Sequence, residues 1–213
     1  MSFWPKKFNT PDDKLPETLA ASAILHAGSP HPVQATPVHN PASPPTGPDL
    51  TPDELQRAAQ ASKAVMAVFG EITNVLMRAP NYKNLTLADL EWLVLPAVIT
   101  GQYSVAEAQS KLNGLLAPLA VLFWASVSPD VDKRITENLS IPIRLTPQDW
   151  RSGDIIWIVD VIGDPRVIQA MIKNAAASQW TGRQVKLRKR GPDGAPAIAV
   201  LQAAQIAIDG VPA

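Results

Sequence analysis

Cysteine is absent from all 213 residues, which removes disulfides, thiolate metal sites and cysteine nucleophiles and fits a reducing compartment. Net charge is absent too. The 19 Lys and Arg balance 19 Asp and Glu, so no overall field draws the chain to nucleic acid or to an anionic membrane, and a charge-dependent partner has to read a local patch. No apolar run approaches the roughly 18 residues of a membrane span, and Met1-Ser2-Phe3-Trp4-Pro5-Lys6-Lys7 lacks the apolar stretch of a secretory leader. A cytoplasmic address, no transmembrane segment and no nucleic-acid partner are therefore expected. Histidine is scarce: His26, His31 and His39 all precede residue 51. From there on neither His nor Cys occurs, so Ser/His/Asp and Cys/His catalysis and His- or Cys-based metal sites are excluded unless the N-terminal segment folds back. Neither GxxxxGK[ST] nor GxGxxG is present, and nucleotide binding through those loops has no support.

Proline is abundant instead. Eleven of the 21 prolines lie between Pro5 and Pro52, with Ser, Thr, His and Ala between them. Such a segment buries too little apolar area to offset its ordering entropy. Residues 1–50 are therefore expected to form an extended, disordered Pro-rich tail, with a short helix near Leu15 to Leu25, or a docking arm for a larger assembly. Residues 51–213 are long enough for one core and are read as a single domain.

Turn signals divide that domain into helix-like and strand-like segments, the pattern of a mixed α/β fold. Thr51-Pro52-Asp53-Glu54 has capping-box spacing and opens a long helix that Pro80 ends. Its apolar stripe, Leu55, Val65, Met66, Phe69, Ile72, Val75 and Leu76, predicts a core-packing face. Thr86-Leu87-Ala88-Asp89 opens a second helix, Leu87 to Val98, which Pro96 should kink or end before Gly101. Gln102 to Glu107 and Leu119 to Val127 read as a hairpin closed around Lys111 to Gly114, and Pro129 to Asn138 as a short helix. Ile155 to Val159 is an apolar strand ending at Asp160, followed by a helix from Arg166 to Ala177. Val185 to Arg190 and Ala197 to Leu201 flank the turn Gly191-Pro192-Asp193-Gly194 and form a second hairpin.

Carboxylates, tyrosines and lysines are the groups left for chemistry. Asp160 interrupts the run Ile155 to Ile162, where an unpartnered ionised side chain would be costly. It reads either as a strand-end residue that accepts backbone N–H bonds or as a catalytic carboxylate. Arg183, Lys186, Arg188, Lys189 and Arg190 form a basic stretch in which Lys186, Arg188 and Arg190 share one strand face. A solvated face is expected there, with an acidic-partner patch as the alternative. Trp92, Trp124, Trp150, Trp157 and Trp180 are read as core aromatics.

Ordered blocks between Tyr82 and Gly163 carry a resemblance. They are Leu90-Glu91-Trp92-Leu93-Val94-Leu95-Pro96-Ala97, Gly101-Gln102-Tyr103, Phe123-Trp124-Ala125-Ser126-Val127-Ser128, and Asp149-Trp150-Arg151-Ser152-Gly153-Asp154 followed by Trp157 and Asp160. In these blocks and their spacing the chain resembles the lysine acyltransferases that activate RTX toxins. The resemblance implies a single GNAT-like acyltransferase domain with a mixed, largely antiparallel sheet flanked by helices. It further implies an acyl chain taken from acyl carrier protein, with no bound cofactor, and a protein acceptor, internal lysines of an RTX-type toxin. The family's catalytic pair is a histidine in a Ser-x-x-His context and an aspartate in the strand after the Trp-containing block. Asp160 matches the aspartate. The histidine position falls on Tyr82 and the serine position on Ala79. To serve as a base, Tyr82 would have to be lowered by about 3 pH units, near 4 kcal/mol, by a cation such as Lys83. Otherwise it would donate a hydrogen bond to the thioester oxygen while Asp160 takes the proton. A protein that has kept the fold as a binding or structural subunit and lost the chemistry is the rival expectation.

Overall fold

The computed structural model describes residues 24–27 and 51–209. In chain order the strands are β1 (Ile24–Ala27), β2 (Tyr103–Gln109), β3 (Leu116–Val127), β4 (Ile155–Gly163), β5 (Gln184–Arg190) and β6 (Pro196–Gln202). The helices are α1 (Pro52–Arg78), α2 (Leu87–Leu93), α3 (Leu95–Thr100), α4 (Pro129–Glu137), α5 (Pro165–Ser178) and α6 (Ala203–Asp209). The strands form one mixed sheet in sequence order, antiparallel throughout except for β4 and β5. Pairing between these two is parallel and ends at Trp157–Lys186, so beyond that point they share no ladder.

Two apolar layers cover the sheet. On one face Ile72, Val75 and Leu76 of α1, Leu90 and Leu93 of α2, and Val131 and Ile135 of α4 pack on Val121, Phe123, Ala125 and Trp157. On the other, Met171, Ile172, Ala175 and Ala176 of α5 and Ile206 of α6 pack on Leu122, Trp124, Ile156 and Ile158. Strand residues alternate between the two clusters because successive side chains point to opposite faces. Trp124, Trp150, Trp157 and Trp180 are buried as expected, and Trp92 packs at the edge of the first cluster.

The helix starts follow their caps. Thr51 and Glu54 make the reciprocal capping box, and Thr86 with Asp89 makes a second one. Pro80 stops α1 at Arg78, and the helix expected over Leu87 to Val98 breaks at Val94, ahead of Pro96, which lacks the N–H a continuous helix would need.

Several expectations are corrected. The α1 stripe is buried only at its C-terminal end; residues 51–67 are exposed on every side, Met66 at 68%, because no described element lies against them. Strand β4 does not stop at Asp160 but continues to Gly163, since pairing to β3 persists past the charged residue. The face of Lys186 and Arg188 is not solvated. Lys186 bonds both carboxylate oxygens of Asp132 at 2.8 Å, and Arg188 binds the carbonyls of Asn138 and Ile141. Of the helix expected near Leu15 to Leu25, residues 15–23 lie outside the described residues, and Ile24 and Leu25 stand on β1, paired with Glu107 and Ala106 of β2. Helix α6 has no counterpart in the sequence reading.

Candidate active site

Tyr82 closes a single 3-10 turn, Pro80–Tyr82, immediately after α1, where its N–H donates to the Ala79 carbonyl at 3.0 Å. The ring is buried in the first apolar cluster, and its hydroxyl donates to Asp160 Oδ2 at 2.7 Å. The other oxygen of Asp160 accepts the Val161 N–H at 2.9 Å. The two residues named as candidates, separated by 78 positions in sequence, are thus directly bonded.

A β-bulge brings this about. Phe123 of β3 pairs with Asp160, but its neighbour Trp124 pairs with Ile158, so Val159 is an extra residue on β4. Trp157 belongs to the Tyr82 face and Ile158 to the α5 face, and simple alternation would place Asp160 with Ile158. The extra residue reverses the parity, and Asp160 faces Phe123 and Tyr82 instead. Gly163 ends the strand at φ 124°, with its Cα so close to β3 that a Cβ would meet the Leu119 carbonyl oxygen at 2.3 Å.

Because β4 and β5 part after Trp157, two pockets open beside the pair, and Tyr82, Ile158 and Asp160 line both. The larger, about 500 Å³, is apolar; Val75, Leu119, Ile162, Ile168, Ile172 and Leu187 supply its walls and Arg78 is its one cation. The smaller, about 370 Å³, is lined by Trp92, by the segment Leu139 to Ile143, and by Arg188, Lys189 and Arg190. The pair stands where an apolar space meets a cationic one.

Burial pushes the Asp160 carboxyl up from 3.8 to about 6, against the bonds from Tyr82 and the Val161 N–H, which pull it down. Burial, then the Asp160 charge and the hydrogen bond to it, raise the Tyr82 hydroxyl well above its ordinary 10. Nothing beside the Tyr82 oxygen favours its ionised form: the charge there is a carboxylate, and the exposed Lys83 lines neither pocket. Of the pair, Asp160 is the group suited to accept a proton near neutral pH.

The block Asp149 to Asp154 lies away from both pockets. Asp149 accepts from Arg134 and the Thr146 N–H, Ser152 Oγ accepts the Ser128 N–H at 2.8 Å, and the Gly153 N–H reaches the Ser126 carbonyl at 3.0 Å. The block forms the turn that leads into β4, and Trp150 beneath it is buried. Sequence reasoning missed the apolar pocket walls on α5. Ile168 and Ile172 lie within the expected helix Arg166 to Ala177 without being singled out, and the one local signal was the turn Gly163-Asp164-Pro165 at the strand-to-helix junction.

Set against known families, the sequence matches the RTX toxin acyltransferase family over residues 61–203, about two thirds of the chain. The chain belongs to the RTX toxin acyltransferase family. Among curated members, the leukotoxin-activating lysine-acyltransferase LktC of a Pasteurella haemolytica-like species (strain 5943B) is 28% identical over 118 residues, 55% of this chain and 66% of that one. The leukotoxin-activating lysine-acyltransferase LtxC of Aggregatibacter actinomycetemcomitans is 30% identical over 95 residues, 45% of this chain and 51% of its own. The serotype A1 enzyme LktC of Mannheimia haemolytica is 29% identical over 93 residues, 44% and 50%. The matched stretch thus spans between half and just under two thirds of these relatives. As a member of the RTX toxin acyltransferase family, the chain has the mixed α/β sheet flanked by helices expected from the resemblance. Among the described residues no helix is long and apolar enough to cross a membrane, and no three His, Cys, Asp or Glu side chains gather as a metal site.

Proposed function

We propose that this member of the RTX toxin acyltransferase family is a cytoplasmic protein-lysine acyltransferase that moves a fatty acyl group from acyl carrier protein to internal lysines of an RTX-type toxin. The observation that carries the reading is the Tyr82–Asp160 hydrogen bond at the junction of two pockets, one apolar and one with Arg188, Lys189 and Arg190 in its lining. The acyl chain occupies the apolar pocket and sets the thioester carbonyl beside Asp160. The lysine side chain enters from the other pocket. Asp160, ionised at neutral pH, takes a proton from the ammonium; the free amine attacks the carbonyl carbon, a C–N bond forms, the C–S bond breaks, and the proton lost by nitrogen leaves with the thiolate sulfur. Direct transfer places no acyl group on the enzyme and suits a chain without cysteine.

Tyr82 has a positioning role in this scheme. Its hydroxyl holds Oδ2 of Asp160 in place and keeps the carboxyl from rising above about 6, so most of it is ionised at pH 7 while it stays more basic than an exposed aspartate. The rival reading, an acyltransferase fold serving as a binding subunit that docks on a larger assembly through residues 1–50, draws on one observation: the hydroxyl at the family's histidine position, that of Tyr82, donates to Asp160. Intact-mass assay of acceptor protein with acyl-loaded carrier protein separates the two. Transfer by the wild type that is lost in Asp160→Ala supports the enzyme; no transfer by the wild type, with a gain in Tyr82→His, supports the binding subunit.

A further inference from the structure

The apolar pocket carries a cation that the acyl-transfer scheme leaves idle. Arg78, in the last turn of α1, is the one cation among its lining residues, and Asp160 is the one carboxylate. Arg78 bonds neutral partners: its Nε donates to the Asn74 carbonyl at 3.2 Å, an ordinary tie to the end of its own helix, and its Nη2 donates to the Pro118 carbonyl. Among the described residues Nη1 has no hydrogen bond and the guanidinium has no carboxylate partner, and the side chain is exposed. The charge is therefore uncompensated, and the planar fork keeps donors on Nη1 and Nη2 for the two oxygens of an incoming carboxylate.

The two charges are far apart along the sheet. Asp160 pairs with Phe123 of β3, whereas Arg78 is tied to Pro118, five residues nearer the start of that strand and about 16 Å away at about 3.3 Å per residue. Val75, Leu119, Ile162 and Ile168 wall the pocket, whose volume of about 500 Å³ is in the usual range of small-molecule sites. A linear amphiphile with an anionic head fits such a pocket in one direction, because Arg78 attracts the head and Asp160 repels it. A cationic head at the other end is disfavoured: Asp160 is buried and already accepts from Tyr82 and the Val161 N–H, whereas the exposed Arg78 lets a carboxylate keep part of its hydration. We propose that the apolar pocket binds free aliphatic carboxylates, with the head group on Arg78 and the chain directed toward Asp160. The inference does not require the protein to transfer an acyl group; where it does so, the bound carboxylate shuts the acyl chain out of the same pocket and inhibits.

The test is isothermal titration calorimetry of the full-length protein at pH 7.5 with three ligands of one chain length: decanoate, 1-decanol and decyltrimethylammonium. Decanoate is expected to bind at least about tenfold more tightly than decanol, and the ammonium more weakly than either. Arg78→Gln, confirmed folded by circular dichroism, should bring decanoate down to the level of decanol and leave decanol unchanged, while Arg78→Lys keeps most of the preference and Ile168→Trp weakens all three. Equal affinity for decanoate and decanol, no binding of either, or a preference that survives Arg78→Gln overturns the proposal. Loss of the preference in Arg188→Gln but not in Arg78→Gln also overturns it, placing the carboxylate in the smaller pocket. The intact-mass assay keeps the two readings apart: Arg78-dependent decanoate binding without any acyl transfer supports this inference while removing the acyl-transfer reading, and transfer with no preference for decanoate does the reverse.

Discussion

Replacing Asp160 by Asn tests whether the carboxylate is held at the expense of stability. In the folded protein burial raises its pKa from 3.8 to about 6, so between these values the folded state holds a proton that the unfolded state has released. The Asp160 contribution to wild-type stability therefore falls as pH rises through this window and levels off above about 6. Over the interval the loss is about 3 kcal/mol, at about 1.4 kcal/mol per pH unit. The amide introduced by Asp160→Asn does not titrate. Its single oxygen can accept from Tyr82 or from the Val161 N–H but not from both, an offset of about 1 kcal/mol that does not vary with pH. The difference in unfolding free energy, variant minus wild type, should thus climb by about 3 kcal/mol between about pH 4 and pH 7 and then stay flat. Urea denaturation of both proteins across that range measures it, and all other titrating groups cancel in the subtraction. Parallel curves for the two proteins would falsify the argument, because they would mean that Asp160 is as well solvated as a surface aspartate. In the intact-mass assay the same variant should lose about 10²–10⁴ in transfer rate, the usual worth of a general base.

Three further outcomes follow from the same geometry. Tyr82→Phe removes a bond that lowers the Asp160 pKa, so the acid limb of the pH–rate profile should move up by about one pH unit, with a stability cost near 1 kcal/mol; an unmoved limb would detach Tyr82 from the base. Ile168→Trp fills the apolar pocket, and transfer of a long-chain acyl group should fall at least tenfold, by about 1.4 kcal/mol or more, while butyryl transfer persists; equal losses for both would show that the chain lies elsewhere. Gly163→Ala places a Cβ 2.3 Å from the Leu119 carbonyl oxygen at a φ of 124°, and should cost on the order of 3 kcal/mol by denaturation.

Short-range chemistry was legible in the residues. Capping boxes, Pro80, Pro96 and the Gly191-Pro192-Asp193-Gly194 turn act through neighbours a few positions away, and the helix ends and the final hairpin fall where they point. Asp160 could be singled out because a carboxyl within an apolar run needs a partner, and the ordered blocks pointed to the family. Less legible was what depends on packing across the sheet. The stripe on α1 has helical period along its whole length, yet only its last turns meet other elements, since periodicity states which side is apolar and not what lies against it. The basic face of β5 looked solvated because its partners, Asp132, Asn138 and Ile141, lie some 50 positions away.

By itself, then, the sequence determined the capped helix starts, the final hairpin turn, the absence of histidine and cysteine from residue 51 onward, and the importance of Asp160, all of which rest on residue identity and local spacing. Only the tertiary structure decided which way Asp160 faces. A strict period of two along β4 aims it at α5; the bulge at Val159 adds one residue, turns it to the Tyr82 face, and sets the pair where β4 and β5 separate. That extra residue exists only relative to β3, because a bulge is a mismatch between two strands and has no counterpart in either strand alone.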